Sequence, residues 1–337
     1  MKILVTGGVG YIGSHTCVEL LNEGYDVVIV DNLVNSSLDV IQRIEKIARK
    51  EVNFYRGDVC DENFMMRVFD ENKIDAVIHF AGLKAVGESV QKPLLYYQNN
   101  LGSTFTLLKV MKKFEVKKLI FSSSATVYGS ENKVPFKESD KVGGTTNPYG
   151  TSKLFIEKIL QDVVLADPSF GVVILRYFNP IGAHKSGLIG DNPNGIPNNL
   201  MPYITKVAIG ELARLNVFGN DYPTKDGTGV RDYIHVVDLV IGHVKALQKL
   251  FSETGVSVYN LGTGVGYSVL EIVEAFEKEN QIKIPYVIQE RRDGDIAECY
   301  ADVTKAEKEL GFKTMYGISD MVKDSYQFIL KTKGEGE

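Results

Sequence analysis

The sequence predicts an α/β protein built on a doubly wound parallel sheet and joined to a smaller, discontinuous α/β lobe. Two observations carry this expectation. Through the first half of the 337-residue chain, short apolar runs alternate with longer stretches of helical period, the rhythm of parallel strands linked by helical crossovers. Beyond about residue 180 that rhythm breaks, because residues 182–202 hold three prolines, four glycines and four asparagines.

In chain order, strand-like runs fall at 2–6, 26–30, 52–55, 75–79, 117–122 and 171–177, and helical segments near 11–22, 38–49, 61–72, 93–113 and 148–165 fill the gaps. Each gap is long enough for a right-handed crossover. Residues 235–250 read as a further amphipathic helix followed by the strand-like Val256-Ser257-Val258-Tyr259-Asn260, so the chain returns to the sheet before leaving it again. The expected division is a first lobe of 1–180 plus about 235–261 and a second of about 181–234 plus 262–337.

The totals narrow the class. A net charge of −5 with no basic stripe argues against a nucleic-acid partner held by counterion release. The N-terminus is already the strand Lys2-Ile3-Leu4-Val5-Thr6, and no apolar run reaches membrane-spanning length, so neither a leader nor a membrane is expected. Cys17, Cys60 and Cys299 are scattered and odd in number, which fits a reducing, cytoplasmic compartment. The five histidines form no H-x-x-x-H pair, and no metal is expected.

Gly7, Gly10 and Gly13 follow the first strand and open the first helix. In a Rossmann-type dinucleotide site, the first glycine permits the tight turn, the second lets backbone approach a pyrophosphate, and the third lets helix and strand pack closely. Strand-to-helix turns use glycine anyway, so the pattern needs company. It has some in Asp31, which ends the second strand where an acid accepts ribose hydroxyls and repels a 2′-phosphate; NAD is expected rather than NADP. Asp58 can receive the adenine amine or serve only as a turn residue, and Phe80-Ala81-Gly82-Leu83-Lys84 lies at the carboxyl strand ends where ligands bind. A second run, Gly262-Thr263-Gly264-Val265-Gly266, lacks the acid that closes such a unit and reads as a crossover turn between lobes.

Asn147 can cap a helix whose first position suits Pro148, which puts Tyr149 in the first turn and Lys153 one turn later on the same face. A phenol of pKa ~10 is a poor base near neutrality unless cations stabilise its phenolate. Lys153 is one such charge and an oxidised nicotinamide another. Ser124, just past the fifth strand, adds a hydroxyl at the same carboxyl edge.

These residues resemble a family, the extended short-chain dehydrogenase/reductases, and within it the enzymes that epimerise UDP-sugars at C4. The resemblance covers nearly the whole chain and is carried by residues 5–15, 78–84, 121–129, 147–153, 175–180 and 227–235. It implies reversible interconversion of UDP-galactose and UDP-glucose through a transient 4-keto sugar, with tightly bound NAD regenerated each turn. Tyr149 is then the proton shuttle, Ser124 assists the transfer, and Lys153 holds the nicotinamide ribose and lowers the tyrosine pKa. By the same resemblance Tyr11, Ile12, Asn32, Asn35, Ser36, Val59, Asn99, Ser122 and Tyr177 join the cofactor site. The sugar nucleotide falls to Phe178, Asn179, Asn199, Leu200, Asn216, Phe218, Arg231, Tyr233, Val269, Arg292 and Asp295, with Arg231 and Arg292 suited to a diphosphate. A homodimer through the helices after the fourth and fifth strands is also implied.

In this family the position beside the sugar C2 substituent carries either tyrosine or a smaller residue, and Cys299 aligns there, which implies room for an N-acetyl group. Tyr300 is adjacent, and a one-residue slip refills that room. A 4,6-dehydratase or decarboxylase shares the fold, but those relatives carry Asp-Glu after the fifth strand where this chain has Ala125-Thr126-Val127. A net dehydrogenase and a non-catalytic NAD sensor are the remaining alternatives.

Overall fold

The computed structural model describes residues 1–193, 195, 197–292 and 294–334. No sequence-predicted site residue lies outside them.

The first half runs β1 (Lys2–Thr6), α1 (Tyr11–Asn22), β2 (Asp26–Asp31), α2 (Asp39–Ala48), β3 (Asn53–Arg56), α3 (Glu62–Glu71), β4 (Ala76–His79), α4 (Val86–Gln91), α5 (Pro93–Lys113), β5 (Lys118–Ser124), α6 (Pro148–Ala166) and β6 (Gly171–Tyr177). The remainder follows as β7 (Asn179–Ile181), α7 (Leu200–Ala208), β8 (Leu215–Phe218), β9 (Val230–His235), α8 (Val236–Ser252), β10 (Gly255–Leu261), β11 (Gly266–Ser268), α9 (Val269–Asn280), β12 (Tyr286–Gln289), β13 (Glu298–Cys299), α10 (Thr304–Leu310) and α11 (Ile318–Gly334). Every element expected in the first half is present within a residue or two. The short α4 is an addition, and Ser124 is the last residue of its strand rather than the first beyond it.

A central parallel sheet of seven strands runs in the order β10-β6-β5-β4-β1-β2-β3. Its central strands read as near-continuous apolar runs because helices cover both faces: all of β4 and all of β6 are buried. The core joins Leu4, Val77, Leu119 and Ile174 of the sheet to Leu107 and Met111 of α5 and Ile156 and Leu160 of α6. Strand order reverses between β1 and β4, and such a switch point opens a crevice at the carboxyl ends of the strands.

The chain divides into two compact units, Met1–Asn132, Glu138–Arg176 and Val240–Tyr259 forming one, and Lys133–Lys137, Tyr177–Leu239 and Asn260–Glu337 the other. These limits fall a few residues inside 180, 235 and 261, and residues 133–137 go with the second unit. In that unit β9 is flanked by β11, β13 and β7, while β12 pairs with β8. Ile204, Val217, Ile272, Phe276 and Val322 form its core.

Candidate active site

The glycine loop stands at the switch point. Gly7 has φ +71°, and a Cβ there would lie 2.8 Å from the Ala81 amide nitrogen, so the loops after β1 and β4 touch backbone to backbone. At Gly13 a Cβ would lie 2.2 Å from the Gly7 carbonyl oxygen; the close approach is to the loop itself rather than to a neighbouring strand. Gly10 caps α1 without a side chain, and Tyr11, Ile12 and Gly13 form the first turn of that helix, whose N-terminus is suited to an anion.

Asp31 is buried, and its carboxylate accepts from the Val9 amide at 3.1 Å, the Leu33 amide at 2.8 Å and the Ser36 hydroxyl at 3.2 Å. These bonds fix its direction and leave lone pairs for a ribose diol. Asn32 and Asn35 are exposed beside it, the Asn32 side chain accepting from the Val34 amide. Asp58 is exposed and accepts from the Cys60 amide, the bond of a turn residue, while Val59 beside it is buried. The loop after β4 is pinned by Asn100, which accepts from the Leu83 amide at 2.8 Å and donates to the Leu83 carbonyl at 3.1 Å. Sequence reasoning chose its neighbour Asn99, whose carbonyl accepts from Cys60 Sγ. Phe80, Ala81 and Gly82 follow β4 with Lys84 exposed at the loop end, and Tyr177 ends β6. A loop that a Cβ would fill, a helix N-terminus behind it and an oriented acid fit a dinucleotide.

Beside this loop, Ser124, Tyr149 and Lys153 come together. Asn147 accepts from the Gly150 amide at 2.9 Å, and with Pro148 it starts α6 so that Tyr149 and Lys153 share a face. Ser124 stands close enough to the Tyr149 phenol to favour its ionised form against burial. Lys153 is buried, its Nζ donating to the Ser122 carbonyl at 2.7 Å and lying 4.9 Å from the Phe121 ring centroid and 5.8 Å from that of Tyr149. Burial pushes the Lys153 ammonium down to about 8, with the Glu157 carboxylate opposing that shift. Burial also pushes the Tyr149 phenol up, and only Ser124 works against it. In the protein alone the Tyr149 phenol is thus pushed up by its burial, and the Lys153 ammonium donates to the strand end. His79, on β4 nearby, is buried between Thr6 and Thr104 and pushed down to about 3, so it stays neutral.

Within the second unit the residues expected at the sugar nucleotide gather around β9. Parallel pairing sets Asn179 opposite Tyr233 and Cys299 opposite Arg231. Asp295 lies 3.9 Å from Arg231 and 2.9 Å from Arg292, whose guanidinium sits 4.9 Å from the Phe218 ring centroid. Tyr233 is pushed up to about 12, by burial first and against the fields of both arginines. Val269 follows β11 and donates to the Gly229 carbonyl, Asn199 caps α7 ahead of Leu200, Asn216 reaches the Tyr203 hydroxyl, and Phe178 donates to the Leu261 carbonyl. The tyrosine ring at 300 lies against Gly266.

The second glycine run is no nucleotide loop and no turn between units. Its donors close on buried Asp232, which accepts from the Thr263 amide and hydroxyl at 2.7 Å each and from the Gly264 amide at 3.0 Å.

The family description "GDP-mannose 4,6 dehydratase" matches residues 4–325. A UDP-glucose 4-epimerase of Haemophilus influenzae is 60% identical over 328 residues, 97% of each chain. The crystal structure of UDP-glucose 4-epimerase from Bifidobacterium longum in complex with NAD+ and UDP superposes with a TM-score of 0.97 at 61% identity, covering 99% of both chains. The chain belongs to the UDP-glucose 4-epimerase family. A UDP-Glc/GlcNAc 4-epimerase from Campylobacter jejuni is more distant, at 35% identity and a TM-score of 0.84 over 98% of this chain and 99% of that one. The family description names a dehydratase, whereas the full-length relatives are named UDP-glucose 4-epimerase.

Sequence reasoning missed Glu157, Arg176 and Ser123, which form a buried network behind the epimerase-family tyrosine. A signal was present, since an arginine in the otherwise apolar β6 must bring a buried partner.

Proposed function

We propose that the protein interconverts UDP-galactose and UDP-glucose by oxidising and re-reducing C4 of the sugar. The carrying observation is the Ser124, Tyr149 and Lys153 cluster beside the glycine loop, in a chain 60% identical along its length to a UDP-glucose 4-epimerase. NAD, bound by the glycine loop and Asp31, supplies a two-electron acceptor that also serves as the donor in the return step. Tyr149 takes the 4-hydroxyl proton with Ser124 beside it, and it gives a proton back when the opposite configuration forms. Lys153, charged below about pH 8, favours the phenolate that the first step needs. In the second unit Arg231 and Arg292 hold the diphosphate and Phe218, Tyr233 and Asn179 the rest of the nucleotide and sugar, so UDP stays bound while the keto sugar turns over.

Incubating UDP-galactose with the purified protein and no added cofactor tests this reading. Recovery of UDP-glucose supports it; a stable keto product, or no product, defeats it.

N-acetylated UDP-sugars belong to the same proposal. Cys299 lies beside Arg231 through the β13–β9 register, and the neighbouring tyrosine ring is taken up by Gly266. A distant family member named for both UDP-Glc and GlcNAc points the same way.

We also propose a cytoplasmic homodimer. Among the described residues, no helix is long and apolar enough to cross a membrane. Leu94, Leu95 and Phe105 of α5 and Phe155 of α6 are exposed, with Phe155 stacked on Tyr97, so two packed helices carry exposed apolar side chains of the kind a twofold interface covers.

A further inference from the structure

Three successive turns of α6 present Tyr149, Lys153 and Glu157 to three successive residues at the end of β5. Tyr149 faces Ser124, Lys153 bonds the Ser122 carbonyl, and Glu157 Oε1 accepts from the Ser123 hydroxyl at 2.5 Å. The third rung is ionic: Arg176 of β6 donates from Nε to Glu157 Oε1 at 3.0 Å and from Nη2 to Oε2 at 2.7 Å, a bidentate fork. Both residues are almost fully buried, and the guanidinium lies 4.8 Å from the Tyr128 ring centroid. A buried ion pair of this kind is weak evidence for stability, because an apolar pair of similar volume often folds equally well. Its place, one turn behind the lysine and tied to the residue between the two strand atoms that Tyr149 and Lys153 use, gives it another task.

We propose that Glu157, clamped by Arg176, is a positioning residue for Tyr149 and Lys153: it sets the register of α6 on the end of β5 and keeps a negative charge one turn behind the Lys153 ammonium. The proposal rests on the reading of Ser124, Tyr149 and Lys153 as the catalytic set. The groups facing Lys153 are Tyr149 and Glu157 on its own helix, the Ser122 carbonyl and Phe121 ring on β5, and neutral His79 on β4, with Arg176 behind Glu157. Glu157 is the only carboxylate of that set, so removing its charge leaves the ammonium less favoured and the lysine titrates at lower pH.

The test uses the NAD-loaded protein. In Glu157→Gln the lysine titration, read by NMR on isotope-labelled lysine and assigned with Lys153→Met, is expected to move to lower pH, and Glu157→Asp to restore part of the shift. In Glu157→Leu with Arg176→Met, kcat on UDP-galactose is expected to fall about 10- to 100-fold with little change in KM, the size of effect a small misplacement produces. An unmoved titration in Glu157→Gln, or an unchanged kcat in the folded double variant, overturns the proposal. Should the double variant fail to fold, Ser123→Ala, which removes one rung and keeps both charges, is expected to lower kcat while leaving the titration in place, and an unchanged kcat there overturns it equally. A parent protein inactive on UDP-galactose defeats the proposed function alone, since the titration still reports on Glu157.

Discussion

The Lys153 ammonium donates to the Ser122 carbonyl at 2.7 Å, so the charge one turn from Tyr149 is anchored on the end of β5 rather than on the phenol. Because burial holds this lysine down to about 8, its charge is present below that pH and lost above it. A phenolate needs that charge, so kcat falls as pH rises through about 8. Lys153→Met abolishes this alkaline limb and lowers kcat by about 100-fold or more, in the range of general acid–base effects. Turnover followed against pH in both proteins checks it.

Most of the first unit was legible because its signals are local. Apolar runs of strand length, the Asn147-Pro148 start and the glycine spacing each specify nearby backbone, and the elements fall within a residue or two of expectation. What was not legible depends on contacts distant in sequence. Nothing near Gly262 announces that Asp232, some thirty residues earlier, takes its loop amides, and nothing near Glu157 itself announces Arg176 on the following strand. The burial that pushes the Tyr149 phenol up is of the same kind. Spacing puts Lys153 on the correct face of α6, but only the fold shows where its ammonium finds an acceptor.

Gly13→Ala places a methyl 2.2 Å from the Gly7 carbonyl, against backbone that cannot rotate away. The loop must shift, at a cost of about 1–3 kcal/mol for overpacking, and the start of α1 moves with it. The variant should purify with much less bound NAD and melt lower than the parent. Cofactor released on denaturation, measured per protomer, gives the answer.

Asp232 is fully buried and accepts from four donors, the Thr263 amide and hydroxyl, the Gly264 amide and the Ala301 amide at 3.1 Å. A Cβ on Gly262 would lie against the same carboxylate, so the glycine and the aspartate are one arrangement. Asp232→Ala strands all four donors, and at about 1–3 kcal/mol for each buried unsatisfied group the loss is at least about 3 kcal/mol. Asp232→Asn keeps one acceptor and should lose less. Denaturant unfolding of the three proteins should rank them parent, Asn, Ala; equal midpoints for Ala and the parent would remove the carboxylate from this role.

Cys299 pairs in register with Arg231, one of the two arginines assigned to the diphosphate, and the arginine field opposes the burial that pushes its thiol up to about 11. The thiol is therefore close to where the sugar nucleotide is proposed to lie. Successive strand residues point to opposite faces, and the ring of Tyr300 lies against Gly266. If the sugar nucleotide binds as proposed, the smaller residue, Cys299, sets the volume beside its C2 position. Cys299→Tyr should lower kcat/KM for UDP-GalNAc by about 100-fold or more while leaving UDP-galactose within a few fold, because the added ring displaces the N-acetyl group but not a hydroxyl. A parent whose kcat/KM for UDP-GalNAc already lies more than ~1,000-fold below that for UDP-galactose, a transition-state difference of ~4 kcal/mol, contradicts the small-residue reading. Equal loss on both sugars in the variant would instead mean that position 299 supports the strand and does not touch C2.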